Sequence, residues 1–280
     1  MKINSIIIQS IIGLLYSIPI FSQVASYPFD GNANDIIAGN NAIVVGATLA
    51  SDRNGQPNSA YSFDGINDYM EVVNPTPFNF GTGEFAVSFW MMPLNENGGR
   101  QMIFQKGDSG ASIPQYWLRL NDGPGVDIRG LWGNGNPPSA LIDINDSMAL
   151  FDGEWHHIVF QRTSQRNELY VDCMLIGTND DINRDVSSSG GLFIGAQSPL
   201  PGTNLVLNHF SGLIDDLIFF DESIDVASIG DFCAVTEASP AIAEIPTLNQ
   251  WSLILLSLVT LIVGVSGIKS FAHKDDLLIH

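Results

Sequence analysis

Between Val24 and about Asp221, apolar residues recur in short alternating or continuous runs. The runs are divided by clusters of Gly, Asn, Asp and Pro. Alternation with period two is the mark of half-buried strands, and Gly and Asn in the breaks supply the positive φ that tight turns need. The pattern predicts strands at Ala60–Phe63, Tyr69–Val73, Phe85–Met92, Gln101–Gln105, Tyr116–Leu120, Val126–Gly130, Trp155–Gln161, Glu168–Val171, Leu192–Gly195 and Gly212–Phe220. Turn clusters such as Asn95-Glu96-Asn97-Gly98-Gly99 and Asn121-Asp122-Gly123-Pro124-Gly125 separate them. One helical turn is expected, at Ser223–Phe232, where Ile224, Val226, Ile229 and Phe232 recur at mixed three- and four-residue spacing. Many short strands joined by turns predict an all-β fold, an antiparallel β-sandwich.

The two ends have a different character. Lys2, an apolar run from Ile6 to Ile20 and the small or polar Phe21-Ser22-Gln23 match a secretory signal peptide cleaved near Ser22/Gln23. A first transmembrane helix is the competing reading, but the run is short and broken by Pro19. Trp251–Ile268 holds no charge, and about 27 Å of helix at 1.5 Å per residue suffices to cross a bilayer. Lys269 and Lys274 follow it, which puts the tail in the cytoplasm and all that precedes it outside. A buried core helix is the alternative, and an all-apolar segment at a chain end fits it less well. The expected organisation is therefore a signal peptide (1–22), one β-sandwich (23–233), a linker rich in Ala, Pro, Ser, Thr and Glu (234–244), and a C-terminal segment (245–280) with a transmembrane helix at 251–268.

Charge narrows the partners. The chain has 30 Asp and Glu against 11 Lys and Arg, a net charge of −19 with the acids scattered. Affinity for nucleic acid comes from Lys and Arg through counterion release, so no nucleic-acid partner is expected. The cysteines are two, Cys173 and Cys233, both in the segment expected to be exported, where an oxidising compartment permits pairing.

Six short motifs then stand in order. They are Tyr27-Pro28-Phe29-Asp30-Gly31-Asn32, Phe63-Asp64-Gly65-Ile66-Asn67-Asp68-Tyr69, Phe89-Trp90, Trp155-His156-His157-Ile158-Val159, Leu169-Tyr170-Val171-Asp172 and Gly212-Leu213-Ile214-Asp215-Asp216-Leu217-Ile218-Phe219. Together they resemble the laminin-G-like domains of the concanavalin A-like lectin and glucanase superfamily, which implies a jelly-roll sandwich of two antiparallel sheets. Position 173 usually holds Gly in such domains. Cys173 resembles instead the thrombospondin N-terminal branch, and that likeness implies a disulfide from Cys173 to Cys233. Two free thiols are the competing reading. At the C-terminus, Ile245-Pro246-Thr247-Leu248 with Trp251, an apolar span and basic residues resembles an Ile-Pro-Thr-Leu sorting signal. This implies an exosortase-like processing enzyme as partner, although here the tail runs on through Asp275, Asp276 and His280.

The superfamily resemblance further implies one structural Ca2+ held by few side chains and several carbonyls, an oxygen-rich set that suits calcium. The matching positions are Asp215, Asp30, Asn32 and the carbonyl of Gly65. Asp215 and Asp216 cannot both face one ion from a regular strand, because successive residues point to opposite faces. Turn capping is the competing role for these acids. His156 and His157 are expected on opposite faces, as strand core rather than a metal site. Retaining glycosidases need paired carboxyls about 5 Å apart. No Glu-x-Asp-x-x-Glu run is present, nor a Gly-x-Ser-x-Gly elbow or a phosphate loop. Trp132, in a Gly/Asn-rich stretch, and Trp117 are the candidate sugar-stacking rings, with ordinary packing as the alternative. Trp90 and Trp155 are expected in the core. The sequence thus predicts a non-enzymatic, exported binding or adhesion protein of the cell surface, recognising a glycan or a surface protein. A polysaccharide-active enzyme and a passive envelope component are the alternatives.

Overall fold

The computed structural model describes residues 22–94, 99–109, 115–120, 128–132, 140–144, 150–199 and 202–234. The elements, in chain order, are β1 (Gln23–Tyr27), β2 (Ala42–Val45), β3 (Thr48–Ala50), β4 (Ala60–Asp64), β5 (Tyr69–Val72), β6 (Phe85–Pro93), β7 (Gln101–Lys106), β8 (Tyr116–Leu120), β9 (Ile128–Trp132), β10 (Ala140–Ile144), β11 (His156–Arg162), β12 (Asn167–Val171), β13 (Met174–Asn179), β14 (Leu192–Ile194), β15 (Ser211–Phe220) and α1 (Val226–Ala234). Every strand pair is antiparallel.

The strands form two sheets. Sheet A has the order β13-β12-β11-β6-β15-β4-β3, with β1 also on β15, and sheet B the order β10-β9-β8-β7-β14-β5-β2. Alternation explains which sides meet. On β6, Phe85, Val87, Phe89 and Met91 are in the core shared by both sheets, while Ala86, Ser88 and Trp90 face outward. A one-residue slip would reverse every one of these, so the apolar set fixes the register. In the core centre, Phe104 of sheet B meets Phe89, Phe160 and Phe219 of sheet A edge-on, with ring centroids 5.8 to 6.1 Å apart.

The ten expected strands all occur, with ends moved by up to two residues. Strands β1, β2, β3, β10 and β13 were not legible, and all five lie at sheet ends or off the main path. The helix starts later than expected, at Val226, because Asp225 caps it: its carboxylate accepts from Ser228 N at 3.0 Å and Ser228 Oγ at 2.8 Å. Helix α1 covers the outer side of sheet A. Ile224 and Ile229 close over Ala86, Val159, Tyr170 and Phe220, and Cys173 and Phe232 pack against the same group.

Two buried cations tie loops to the sandwich. The Arg162 guanidinium donates to the carbonyls of Gly83 at 2.6 Å, Gly81 at 2.8 Å and Arg184 at 2.8 Å. Lys106 Nζ donates to Asn79 Oδ1 at 3.0 Å and to the carbonyl of Ser188 at 2.7 Å. Burial lowers the Lys106 ammonium to about 8.

Among the described residues no helix is long and apolar enough to cross a membrane. The signal peptide except Ser22, the linker except Ala234, the span 251–268 and the sorting residues Ile245, Pro246, Thr247, Leu248 and Trp251 lie outside the described residues.

Candidate functional site

The outer side of sheet A is organised by one arginine. Asp52 closes the turn before β4, its Oδ1 accepting from Asn54 N at 2.8 Å and Gln56 N at 2.7 Å, and this holds Arg53 over the sheet. Arg53 then pairs with Asp215 at 2.6 Å and with Asp216 at 2.8 Å. A regular strand forbids two adjacent side chains from meeting one cation. Here β15 is bulged between Asp215 and Ile218, and Asp216 has φ 47°. The bulge turns both carboxylates to the same side, which corrects the sequence-based expectation. Burial first, and then Asp216, push the Asp215 carboxyl up to about 7 against the pull of Arg53.

A stack continues from this clamp. The Arg53 guanidinium carbon lies 4.8 Å from the Trp90 ring, Trp90 lies 5.0 Å from His157, and His157 lies 5.4 Å from Phe232 of α1. His157 Nε2 shares a 2.9 Å hydrogen bond with Ser88 Oγ, and burial holds the imidazole down to about 4. His156 points the other way, between Asp172 at 2.8 Å and Asp152 at 3.2 Å, and the Asp172 hydrogen bond leads in raising its pKa. The histidines therefore face apart, each with its own polar partner. Trp90 is buried on the outer side of the sheet rather than between the sheets, and Trp155 is half-buried.

Three of the four residues expected to hold calcium have local roles of their own. Asp215 is engaged by Arg53. Asp64, next to Gly65, is in register with Ser211, four residues from Asp215, about 13 Å at the usual strand rise. Gly65 itself needs its φ of 75°, and a Cβ there would stand 2.8 Å from Ser211 Cβ. Asn32 closes a local turn, accepting from Asn34 N at 2.9 Å and donating to the carbonyl of Asp30 at 3.2 Å. Among the described residues no group of three or more His, Cys, Asp or Glu side chains is placed to hold a metal ion.

On the outer side of sheet B, Trp117 is 9% exposed and packs with Met102, and the Arg119 guanidinium carbon sits 4.7 Å from its ring centroid. Trp117 lies in register with Gln105 and Leu131, and Arg119 with Met102 and Arg129. Beside this row Gln105 Nε2 donates to Gln115 Oε1 at 3.0 Å, and Ser109 Oγ donates to the carbonyl of Ser198 at 2.6 Å. Trp132 ends β9 rather than lying in a loop. It is in register with Tyr116, and its side chain lies outside the described ones. The arginines were missed in sequence. Their signal was there, since Trp-Leu-Arg-Leu at 117–120 and Ile-Arg-Gly-Leu at 128–131 mirror each other about a turn cluster.

Cys173 and Asp172 form the two-residue turn between β12 and β13, with φ 63° and 48°. Cys233 is in α1, and its side chain lies outside the described ones.

A two-sheet antiparallel sandwich with one short helix laid on it defines a lectin-like class of fold. Residues 64–230 match the family described as the concanavalin A-like lectin/glucanases superfamily, and the chain belongs to that superfamily. No curated protein matches the sequence. Among solved structures the chain is similar to domain 4 of AbnA, a GH43 extracellular arabinanase from Geobacillus stearothermophilus, solved in complex with arabinotriose. The TM-score is 0.53 at 18% identity, over 76% of this chain and 98% of that one. It is also similar to the binding domain of Paraclostridial Mosquitocidal Protein 1, with TM-score 0.59 at 15% identity over 77% and 52% of the two chains. The botulinum neurotoxin serotype D binding domain gives 0.56 at 16% identity over 77% and 51%. The chain thus spans about half the length of these toxin domains.

Proposed function

We propose that this chain is an exported, surface-held carbohydrate-binding protein whose sugar site is the outer side of sheet B around Trp117 and Arg119. The observation that carries this reading is the Trp117–Arg119 pair. A ring fixed by packing and a guanidinium laid across it, 4.7 Å away, present an aromatic edge beside a fork of N–H donors for sugar hydroxyls. The fold supports the reading, since a domain of the same architecture was solved with arabinotriose. Binding without catalysis is favoured because the adjacent carboxylates Asp215 and Asp216 are both bound by Arg53 rather than free to serve as acid and nucleophile.

The same reading includes removal of 1–22 on export, anchoring or processing through 245–280 by an exosortase-like enzyme, and a Cys173–Cys233 disulfide. Support for the bridge comes from the packing of Cys173 against the residues that α1 covers, and from the two cysteines being the chain's whole complement. N-terminal sequencing of the envelope fraction should give Gln23 as the first residue, and an unprocessed cytosolic protein would overturn the export reading.

The test of the binding site is a glycan array probed with the full-length chain and with Trp117→Ala. Binding to a defined set of glycans, lost in the variant while its far-ultraviolet spectrum is unchanged, is the expected result. Absence of binding, or equal binding by the variant, overturns the site. Cleavage of a bound oligosaccharide would overturn the non-enzymatic reading.

A further inference from the structure

Two histidines side by side on β11 meet opposite surroundings. His157 points to the outer side of sheet A, where burial favours the neutral ring beside Ser88. His156 shares the parity of Ile158 and Phe160, whose side chains enter the core, and stands at the rim where β11 begins. Its side chain is 10% exposed, and both ring nitrogens face carboxylates: Nδ1 lies 2.8 Å from Asp172 Oδ2 and Nε2 lies 3.2 Å from Asp152 Oδ1. Met91 of β6, in register with His156, brings no charge, and Asp172 and Asp152 are the charges that act on the ring.

A neutral imidazole has one donor and one acceptor, whereas an ionised carboxylate only accepts. The neutral ring therefore satisfies one aspartate and turns a lone pair on the other. Only the imidazolium donates to both. The Asp172 hydrogen bond leads in raising the His156 pKa above 6.5, against the pull of burial. The two carboxylates are held differently. The Asp172 amide donates to the carbonyl of His157 at 2.8 Å, and Asp172 Oδ1 accepts from His157 N at 2.9 Å, so this partner is fixed to β11. Asp152 belongs to the connection that leads into β11, and its Oδ1 is shared with the Glu154 amide at 2.8 Å. The Asp152 contact is the longer of the two and is the one to go when a proton is lost.

We propose that His156 is a pH-sensitive clasp, which as the imidazolium binds the connection before β11 to the β12–β13 turn and on losing its proton keeps Asp172 and releases Asp152. The remaining N–H stays on Nδ1, and the Nε2 lone pair then repels the Asp152 carboxylate. Because the pKa is raised, the stability that the clasp contributes is full below 6.5 and is lost as pH rises through the folded-state value. The device is independent of the carbohydrate-binding reading.

The test is nuclear magnetic resonance of the full-length chain, labelled with 15N and 13C and titrated from pH 5 to pH 9, with the His156 signals identified by their loss in His156→Asn. Two ring N–H signals from His156 should persist above pH 6.5, and the Glu154 amide should shift with the same midpoint as the ring. Asp172→Asn should lower that midpoint most. Asp152→Asn, whose amide oxygen still accepts from Glu154 N, should lower it less. A midpoint at or below 6.5 overturns the clasp, as does a raised midpoint that neither aspartate variant lowers. A raised midpoint with the Glu154 amide unmoved overturns the release of the connection.

Discussion

Arg53 Nη1 lies 2.6 Å from Asp215 Oδ2 across 162 residues of sequence, and its second nitrogen holds Asp216 at 2.8 Å. A regular strand cannot offer both contacts at once, so the double clamp depends on the bulge in β15. Removing Arg53 leaves two neighbouring acids, one of them buried, without their cation. Arg53→Ala is expected to cost about 3 kcal/mol near neutral pH, as breaking a buried pair by removing one partner does. Without Arg53 the Asp215 carboxyl takes up a proton instead of remaining buried and charged, so the loss should be smaller at pH 5 than at pH 8. Urea unfolding at both pH values checks this, and a change below about 0.5 kcal/mol at pH 8 would show that the clamp is incidental.

Asp215 and His157, both on the outer side of sheet A, titrate with opposite consequences. Asp215 is raised from 3.8 to about 7, chiefly by burial and then by Asp216, with Arg53 opposing. Between those values the folded state holds the proton that the unfolded state has lost, so this group's contribution is present at low pH and is lost as pH rises towards 7. His157 is lowered from 6.5 to about 4 by burial, which outweighs the pull of Asp172. Its contribution is present above 6.5 and is lost as pH falls towards 4. The two slopes, each at most about 1.4 kcal/mol per pH unit, oppose one another over most of the same window. His157→Asn should therefore be most destabilised relative to the parent at pH 7 and approach it by pH 4. Asp215→Asn should lose most at pH 4 and recover by pH 7. Parallel stability curves for parent and variants would refute the opposition.

How much of this was legible in the sequence depends on distance along the chain. Strands such as Phe85–Pro93 show their inner face as Phe85, Val87, Phe89 and Met91, because alternation is local. Short strands such as Thr48–Ala50 carry too few residues for any period to register, and tertiary pairing alone makes them strands. The Arg53 clamp was hidden for a different reason. It needs a bulge set by the positive φ of Asp216, and no local pattern announces that a strand will break its own alternation. Trp132 shows the converse. Its Gly- and Asn-rich surroundings read as loop, yet pairing with Tyr116 and Ala140 draws it into β9.

Arg162 is buried with its three donor contacts on the carbonyls of Gly81, Gly83 and Arg184. Arg162→Met keeps the apolar stem against Phe85 and removes the donors, leaving three acceptors in a place that solvent reaches poorly. A loss of roughly 3 kcal/mol or more is expected from the acceptors alone. Hydrogen exchange should localise it, with protection falling first at Val186 N, which donates to the carbonyl of Gly81. Uniform loss across both sheets, with no early opening at 79–83 and 184–188, would show that Arg162 is not the tie between these loops.

Cys173 sits at the second position of a two-residue hairpin turn with φ 63°, where glycine is the residue of choice. A side chain there costs about 1 kcal/mol of backbone strain, and the proposed bridge to Cys233 is what offsets it. Closing a loop of about sixty residues stabilises by about 4 kcal/mol in the chain-entropy picture. The two effects separate in a pair of variants. Cys173→Ser loses the bridge and keeps the strain, whereas Cys173→Gly loses both, so the glycine variant should be the more stable by about 1 kcal/mol. Under a strong reductant the parent should fall to the level of Cys173→Ser, and Cys173→Gly should then exceed it. If reductant leaves the parent unchanged, while Cys173→Ser equals it and Cys173→Gly exceeds it under oxidising conditions, no bridge exists and the cysteine at this turn only adds strain.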